Sequence, residues 1–558
     1  MRNLWRSQFL LVGFLWLLLC GSSVRANVYA TDIKLNGSLN AGIIVPGASL
    51  TISYILNENA TAGVSVRIYS GTNVIKTFAA SDGLPGTFAG LNSFQWDGTA
   101  NNGVAVPPGV YTVSITAGAE GYDSWTAITD DSTNFSVFYP SGIAVNKNTN
   151  SPYYGRVFIA NCADGGDPTQ APGIFKYNAD GSPADEGGFG TGGYSWSGGG
   201  YFNPSPWKMG ISSDDRLYVN DWVSNGVVLS FDQVLSTNYL PVLTSENYPY
   251  STVLLSGPFV SGAGTNTQIW MADVNPAFRG GLGVLRWYLT SDGEAATNDT
   301  GTVIVGLGEG SSLTYAPFDV AVGPNGDIYV IQQVSVDGSP QYQDTDAAHT
   351  RLLCFAPYLN GSPPETNAMW QVGSNDPTLE NAYGVAVDSS GTFVAVAARG
   401  EGSPGSFQYG GLSIFLAANG TLVTNISADP EGQTNQQMVA VAWDNVGNLY
   451  AAEWTESTWR AYSPPGTNQA TTVAAPFIQA LNALLPATLS DTSLAAAASL
   501  LNFSLHGQSN VTYVIEQSPD LLNWMPVATN YSPAPERAIS IPFPPTDGQD
   551  FYRAVAAP

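Results

Sequence analysis

A short aromatic stretch recurs six times between residues 156 and 454, and this recurrence limits the possible folds more than any other feature. Aligned on one position, the stretches follow one another at intervals of 60, 52, 59, 65 and 56 residues. Such spacing is typical of repeat architectures, in which each unit buries its apolar faces against its neighbours. The stretches are RVFIANC from Arg156, RLYVNDW from Arg216, QIWMADV from Gln268, DIYVIQQ from Asp327, TFVAVAA from Thr392 and NLYAAEW from Asn448.

Each repeat has the pattern of a small antiparallel sheet. An apolar inner strand with a small middle residue precedes the aromatic strand, and a third apolar strand follows it. Small residues suit strands that crowd around an axis, and radially arranged four-stranded sheets leave only short edges exposed. The sequence therefore predicts a six-bladed β-propeller over residues 140–480. The small residues are Ala144, Gly210, Ala321, Ala386 and Ala442, and the inner strand of the third repeat is expected around Phe259 to Ser261.

The third position of each aromatic strand is predicted to be buried between blades, because it carries an aromatic or apolar side chain in every repeat. The residues concerned are Phe158, Tyr218, Trp270, Tyr329, Val394 and Tyr450.

Two of the later repeats resemble a known family. VAVGPNGDIYV from Val320 and VAWDNVGNLYAAE from Val441 are similar to the repeat of NHL-type propellers. The resemblance extends over residues 140–480 and is carried best by the fourth to sixth repeats. It implies a propeller fold and leaves the ligand open.

Residues 27–139 have the alternating apolar and polar pattern of an antiparallel sandwich. The stretch FQWDGTANNGVAVPPGVYTVSITA from Phe94 resembles the immunoglobulin-like domain of the bacterial flagellar hook-capping protein. Within it, Asn102-Gly103 predicts a tight turn. The resemblance implies an immunoglobulin-like module and no catalysis. TNFSVFYP from Thr133 is expected either to finish the last propeller blade or to belong to this sandwich.

The C-terminal part is predicted to hold a linker and a small β-module. Residues 481–498 are treated as a linker, and FIQALNALL from Phe477 is a candidate for a helical turn. Alternation resumes over residues 499–558, in LNFSLHG from Leu501 and VTYVIEQS from Val511, which predicts a small sandwich. The predicted fold class is therefore all-β, with an N-terminal immunoglobulin-like sandwich, a six-bladed propeller and a small C-terminal β-sandwich module.

Residues 1–26 have the composition of a secretory signal peptide. Arg2 and Arg6 precede an apolar run from Phe9 to Cys20, and Val24-Arg25-Ala26 resembles a cleavage site. No later segment is long and apolar enough to span a bilayer. We therefore expect cleavage after Ala26 and a mature chain without a transmembrane segment that is secreted, periplasmic or at the cell surface.

The strongly acidic balance restricts the partners. The formal net charge is −26, and loss of three arginines with residues 1–26 makes it −29 (−26 − 3). Such a surface repels phosphate backbones, which argues against nucleic-acid binding.

Two cysteines lie beyond residue 26, and they are predicted to stay unpaired. Cys162 follows the aromatic strand of the first repeat, and Cys354 lies in the third strand of the fourth. These repeats face each other in a six-bladed ring, whereas a disulfide requires Cα atoms within about 7 Å.

The position that follows the aromatic strand is polar in five of the six repeats. In propellers the loop leaving the second strand lies at the mouth of the axial channel, and carboxylates and amides there suit Ca²⁺ or sugar hydroxyls. The alternative is that each residue caps a turn of its own repeat through backbone hydrogen bonds. The predicted binding residues are Asn161, Asp221, Asp273, Gln332 and Glu453, with Trp207, Trp222 and Trp454 as aromatic walls, and Asp273, Glu453 and Asn161 are the candidate metal ligands.

The resulting hypothesis is an exported modular binding or structural protein whose propeller is an interaction scaffold for carbohydrate or protein. The alternative is a calcium-dependent propeller hydrolase or lactonase acting on sugars or lactones, with Ca²⁺ as the one cofactor considered. Only His349 and His506 are present, which argues against a multi-histidine zinc site and most histidine-based triads. The sequence favours binding over catalysis and assigns no catalytic residue.

Overall fold

The fold is described from a computed structural model. It covers residues 27–45, 47–130, 132–166, 170–185, 187–199, 204–222, 227–248, 255–274, 282–308, 310–332, 350–373, 379–400, 410–427, 436–481, 487–495, 500–507, 511–519, 521–532, 534, 536–542 and 550–556. The predicted signal peptide and His349 lie outside these residues.

Strands make up most of the regular structure, beside 3-10 turns at Thr133–Phe135, Ser245–Asn247 and Gly264–Asn266. α-Helix is absent from the described ranges, which confirms the all-β prediction. Within those ranges no helix is long and apolar enough to cross a membrane. The chain divides into two compact units. The first comprises Leu56–Ala62 and Ala117–Ala470 with the chain up to Thr31, and the second comprises Asp32–Ile55, Gly63–Thr116 and Thr471–Pro558.

The N-terminal sandwich is built from seven strands. They are β1 (Ala30–Leu35), β2 (Gly42–Ile44), β3 (Leu50–Leu56), β4 (Gly63–Ser70), β5 (Asn73–Ala80), β6 (Gly90–Trp96) and β7 (Gly109–Tyr122). One sheet has the order β1-β3-β6, and β7-β4-β5 belong to the other.

The stretch from Phe94 contributes buried aromatic side chains to the core of this sandwich. The Trp96 side chain is fully buried, donates from Nε1 to the carbonyl of Thr99 at 2.9 Å, and meets the Tyr111 ring edge-on at 6.0 Å. Gly103 closes the predicted tight turn with φ of +79° and a hydrogen bond to the Ala100 carbonyl. The tryptophan and tyrosine of the recognised pattern therefore pack against each other.

Within the described residues, six antiparallel four-stranded sheets follow one another along the first unit. The first contains β9 (Pro140–Val145), β10 (Val157–Asn161), β11 (Gly173–Tyr177) and β12 (Phe189–Gly190); the second contains β13 (Met209–Ile211), β14 (Leu217–Asp221), β15 (Val227–Phe231) and β16 (Leu240–Leu243); the third contains β17 (Phe259–Ser261), β18 (Gln268–Ala272), β19 (Gly283–Tyr288) and β20 (Thr302–Gly306). The fourth contains β21 (Pro317–Val322), β22 (Ile328–Gln332), β23 (Arg351–Phe355) and β24 (Trp370–Gly373); the fifth contains β25 (Ala382–Val387), β26 (Phe393–Ala398), β27 (Gly411–Leu416) and β28 (Leu422–Ile426); the sixth contains β29 (Met438–Trp443), β30 (Leu449–Glu453) and β31 (Thr458–Ser463), with β8 (Thr126–Ala127) as its fourth strand.

The first strands of these sheets close into a ring. Each contacts the first strand of the next sheet, and β29 contacts β9. The third inner strand, β17, lies where the sequence predicts it. This is a propeller-like arrangement, in which successive sheets pack face to face around the inner strands.

The sixth sheet is completed by chain from before the first sheet. Thr126 and Ala127 pair with Ser463 and Tyr462, and Ser136 bridges to Thr458. The last sheet is therefore finished by Thr126–Ala127. The stretch from Thr133 begins with a 3-10 turn, Thr133–Phe135, and reaches this sheet through the isolated bridge of Ser136.

The predicted inter-sheet positions are all buried, with at most 5 % of any side chain exposed. They pack across sheets: Phe158 lies in one apolar cluster with Met209 of the second sheet. The residues are Phe158, Tyr218, Trp270, Tyr329, Val394 and Tyr450.

The C-terminal part differs from its prediction in two places. The expected helical turn is wrong for Ile478–Ala480, because these residues form strand β33, which lies between β2 and β7, parallel to the first and antiparallel to the second. Residues 482–485 of the same stretch lie outside the described residues. Ile478 and Ala480 are buried with Gln479 half-buried between them, which is the alternation of a strand. Residues 481–498, treated above as a linker, contain β34 (Thr488–Ala495).

Two three-stranded sheets form the small C-terminal module. Besides β34, they contain β35 (Leu500–His506), β36 (Val511–Ser518), β37 (Met525–Ser532), β38 (Glu536–Pro542) and β39 (Phe551–Ala556). The preceding strand, β32 (Gly466–Val473), pairs with β7 instead. The sheet orders are β34-β35-β38 and β37-β36-β39. Phe503, Leu505, Tyr513 and Ile541 are buried in a shared core.

Cys162 and Cys354 are both unpaired and fully buried, which confirms the prediction for the thiols. Burial raises the pKa of each thiol to about 12. Because the thiolate is the reactive form, iodoacetamide is expected to modify neither cysteine in the folded chain from Asn27 and both after unfolding. Mass spectrometry of a digest measures this, and rapid labelling of either thiol in the folded protein would contradict it.

Candidate functional site

The inner strands enclose a cavity of about 560 Å³ at the centre of the ring. Each of these strands is hydrogen-bonded to one neighbour in its own sheet, which leaves its other edge towards the axis. All five small residues singled out in the sequence line the cavity. They are Ala144, Gly210, Ala321, Ala386 and Ala442.

Close approach of neighbouring inner strands explains the small residues. A Cβ atom added to Gly210 would lie 2.6 Å from the carbonyl oxygen of Pro258, and one added to Gly384 would lie 3.1 Å from the Cα atom of Ala440. The contact at Gly210 would force the backbone to shift, and the contact at Gly384 would require the neighbouring strand to move by a few tenths of an ångström. The small residues that predicted crowding around an axis therefore also allow the inner strands to approach each other and thereby limit the width of the cavity.

Turns between the first and second strands border one end of the cavity. Lys147, Asn148 and Thr149 come from the first sheet, Ser213 from the second and Ser389 from the fifth. Lys147 and Thr149 are exposed to solvent. This end is therefore a polar mouth, whereas the wall is made of peptide edges and small apolar side chains.

A buried ion pair lies at the other end, where the inner strands begin. Lys208 Nζ is 2.9 Å from Asp319 Oδ2 and also donates to the Tyr383 carbonyl oxygen. Asp319 accepts hydrogen bonds from the backbone N–H of Val385 at 3.0 Å and from the Ser256 hydroxyl at 3.4 Å. The pair therefore ties the second, third, fourth and fifth sheets together at the axis.

Burial disfavours the charged form of each member of this pair. It lowers the pKa of the Lys208 ammonium and raises the pKa of the Asp319 carboxyl, and the attraction between the two groups opposes both shifts. Removing either side chain would leave the other charge buried without its partner, which destabilises the folded state.

The polar residues predicted to ring a pocket are fully buried and do not line this cavity. Asn161 donates to the carbonyl oxygens of Ala163, Gln170 and Ala171, at 3.0, 3.1 and 2.8 Å. Its side-chain oxygen accepts from the backbone N–H of Tyr139 at 2.8 Å. These bonds hold the chain on either side of the first sheet.

Asp273 and Gln332 also bind backbone groups. Asp273 accepts from the N–H of Leu282 at 3.0 Å, and Gln332 accepts from the N–H groups of Thr314 and Tyr315 at 3.0 and 3.3 Å. Asn161, Asp273 and Gln332 therefore bind backbone groups, as the turn-capping alternative expects, and the choice between capping and ligand binding stays a prediction.

Asp221 and Glu453 bind side chains. Asp221 accepts from the Tyr194 hydroxyl at 2.8 Å. Glu453 lies 2.8 Å from the Arg460 guanidinium, and both side chains are fully buried. Whether any of the five polar residues binds a ligand stays a prediction.

The three predicted tryptophans gather in one buried aromatic cluster. Trp207 meets Trp222 at a ring distance of 5.8 Å, and Tyr383 lies 6.5 Å from Trp207 and 5.9 Å from Trp454. The Arg399 guanidinium lies 4.9 Å from the Trp454 ring. The structure thus brings the aromatic residues together, but away from the walls of the cavity.

The candidate metal ligands do not fit a shared calcium site. In the described part of the chain, no group of three or more His, Cys, Asp or Glu residues is arranged to hold a metal ion. Glu453 faces a guanidinium, which repels a cation, and the oxygens of Asn161 and Asp273 accept hydrogen bonds from backbone N–H groups. No chemistry through calcium is therefore assigned.

Sequence reasoning missed the ion pair of the cavity. Lys208 in PWKMGIS and Asp319 in PFDVAVG each place a charge beside or within an apolar inner strand. A buried charge must be paired, so a lysine in one inner strand and an aspartate in another were a usable signal.

Comparison with known families identifies one module. Residues 42–121 match the FlgD Ig-like domain. The match runs from β2 into β7 and contains Trp96 and Tyr111, so it confirms the resemblance to the hook-capping protein. The FlgD-type module covers 80 of 558 residues (121 − 42 + 1), and it therefore describes one part of the chain.

No curated protein matches the chain. Among solved structures, the periplasmic gluconolactonase PpgL of Pseudomonas aeruginosa is similar at 12% identity and a TM-score of 0.23, over 47% of this chain and 82% of that one. A glycoside hydrolase is similar at 10% identity and a TM-score of 0.23, over 94% of both chains. Latent PorU from Porphyromonas gingivalis is similar at 10% identity and a TM-score of 0.12, over 96% of this chain and 32% of that one. Similarity this low carries no argument about function.

Proposed function

We propose that this chain is an exported binding protein whose six sheets are the blades of an NHL-like propeller, and that the propeller takes a small ligand in its axial cavity. The observation that carries the proposal is the cavity itself. It has a volume of about 560 Å³, inner strands of all six sheets line it, and its mouth is polar. Ligand sites in proteins are commonly clefts of this size.

The cavity wall favours a ligand rich in hydroxyl or amide groups. Each inner strand pairs with its own sheet along one edge, and peptide N–H and C=O groups of the other edge can donate and accept hydrogen bonds. Lys208 and Asp319 offset each other's charge. A neutral ligand such as a mono- or disaccharide meets these conditions, because its hydroxyls match both kinds of peptide group without introducing an unpaired charge.

The hydrolase alternative gains no support from the cavity. Asp319 is held by Lys208, and Asp388 accepts hydrogen bonds from the backbone N–H groups of Ser390, Thr392 and Phe393. Both carboxylates are therefore engaged in holding the strands and turns of the ring.

A cavity-filling substitution tests the binding proposal. Ala386 is the fifth of the six residues of β25, is only partly buried and lines the cavity. Calorimetry is used to screen the chain from Asn27 against neutral mono- and disaccharides. For a sugar that binds, Ala386→Phe is expected to raise the dissociation constant at least tenfold, because the phenyl ring occupies the space of the ligand.

The matched control is Ala79→Phe, at an exposed position of β5 in the sandwich. It is expected to leave binding unchanged, and thermal unfolding of both variants verifies that they are folded. Equal affinity of Ala386→Phe and the unmodified chain would place the ligand outside the cavity and reject the proposal.

The export part of the proposal has its own test. Arg2, Arg6 and the apolar run from Phe9 predict that a signal peptidase cleaves after Ala26. N-terminal sequencing of exported protein is expected to begin at Asn27. A lipid-modified chain beginning at Cys20 would reject this cleavage.

A further inference from the structure

The residues that follow the predicted cleavage site are built into the first unit. Asn27 is 7 % exposed, and Val28 and Tyr29 are fully buried. Asn57 and Asn448 donate to the Asn27 carbonyl oxygen at 3.1 and 2.9 Å, and the Asn27 side chain donates to the Val446 carbonyl. The position of the Asn27 backbone nitrogen is therefore fixed by its neighbours.

A buried carboxylate lies next to this nitrogen. The Asn27 backbone nitrogen donates to Ser463 Oγ at 3.1 Å, and Ser463 Oγ donates to Glu58 Oε1 at 3.1 Å. The other oxygen of Glu58 accepts from the Tyr122 hydroxyl at 2.7 Å. Glu58 is 5 % exposed, and both of these partners are neutral hydroxyl groups.

A buried carboxylate held by neutral groups is costly. Burial raises the pKa of Glu58, the two hydroxyl hydrogen bonds oppose that shift, and the nearby Asp444 carboxylate adds to it. A cation beside Glu58 would offset the desolvation of its charge. The nearest backbone nitrogen in this network is that of Asn27, which is one hydroxyl away.

We propose that removal of residues 1–26 creates an α-ammonium group at Asn27 that Glu58 binds as its counter-ion, so that maturation adds a buried ion pair which the precursor cannot form. Hydrolysis of the Ala26–Asn27 peptide bond consumes one water molecule, and it leaves a carboxylate on Ala26 and an ammonium on Asn27 at neutral pH. The Ser463 hydroxyl bridges the two charges. The inference rests on the cleavage proposed above.

The consequence is a link between processing and stability. In the precursor the Asn27 nitrogen is a neutral amide, which donates one hydrogen bond to Ser463. In the mature chain the same nitrogen carries a positive charge and three hydrogen-bond donors, and the Ser463 hydroxyl connects it to Glu58. The first unit of the mature chain is therefore expected to unfold at a higher temperature than the same chain with an N-terminal extension.

Four proteins test the pair. One begins at Asn27, a second carries Ser-Gly-Ser before Asn27, and each is also made with Glu58→Gln. The extension converts the Asn27 nitrogen into an amide and moves the terminal charge away. With Glu58 present, the chain beginning at Asn27 is expected to unfold about 2–4 °C higher than the extended chain. With Glu58→Gln, this difference is expected to disappear.

The proposal would be overturned if, with Glu58 present, the chain from Asn27 and the extended chain unfolded at the same temperature. It would also be overturned if the extension lowered the unfolding temperature by the same amount with Glu58 and with Glu58→Gln. Amine labelling provides a measurement that needs no variant at Glu58. At neutral pH the α-amine of Asn27 is expected to react with an acylating reagent at least tenfold more slowly than the terminal amine of the extended chain, as quantified on the N-terminal peptide by mass spectrometry. Equal reactivity would show an unpaired, accessible terminus and reject the pair.

The two proposals fail separately. If exported protein begins at a residue other than Asn27, the cleavage proposal is rejected, whatever the four proteins show. If exported protein begins at Asn27 and the four proteins show no coupling between Glu58 and the terminus, the ion pair is rejected and the cleavage stands.

Discussion

Replacing Glu453 with Ala is expected to lower the free energy of unfolding by about 3–5 kcal/mol, because the substitution buries the Arg460 guanidinium without this carboxylate. Both side chains are fully buried, and Arg460 Nε lies 2.8 Å from Glu453 Oε2. The pair connects β30 and β31 of the sixth sheet. Urea-induced unfolding followed by tryptophan fluorescence measures the change.

The matched control replaces both charges. Glu453→Leu combined with Arg460→Met removes the carboxylate and the guanidinium together. This double variant is expected to be much closer in stability to the unmodified chain than a chain that carries Glu453→Leu alone or Arg460→Met alone. Similar free energies for Glu453→Ala and the unmodified chain would contradict the structural role. A double variant less stable than both single variants would show that the charges contribute more than the cost of burying them.

The repeat was predictable from sequence because its signal is local. An inner strand, a turn and an aromatic strand lie within about twenty residues of one another, so apolar alternation and turn residues reveal them without knowledge of the fold. The small residues at the axis were predicted for the same reason. Trp96 and Tyr111 lie in one short stretch of sequence, and their rings meet although β6 and β7 belong to different sheets.

Contacts between distant residues were not predictable in this way. Lys208 and Asp319 are 111 residues apart, and only the ring brings them to 2.9 Å. The strand that completes the sixth sheet, Thr126–Ala127, has two residues and no pattern to detect. The strand after Phe477 was misassigned, because LNALL continues its apolar run and favours helix by composition.

The polar positions after the aromatic strands illustrate a limit of repeat alignment. Alignment places Asn161, Gln332 and Glu453 in one column, which suggests one shared role. In the structure Asn161 and Gln332 bind backbone N–H groups, whereas Glu453 pairs with Arg460. A column in a repeat therefore defines a position in the sheet, and the partner of each residue depends on the loop beside it.

Replacing Tyr329 with Ala is expected to lower the free energy of unfolding by about 3–5 kcal/mol, because it leaves a cavity between two sheets. The Tyr329 side chain is 1 % exposed, and its ring lies 6.0 Å from that of Trp370. Tyr329→Phe is the matched control: it keeps the ring and removes the hydroxyl, so a loss of about 1–1.5 kcal/mol is expected. Urea unfolding of the three chains measures both values. An alanine variant that unfolds at the same urea concentration as the phenylalanine variant would show that the ring does not fill a packed interface, and would contradict the assignment of this position to the core between sheets.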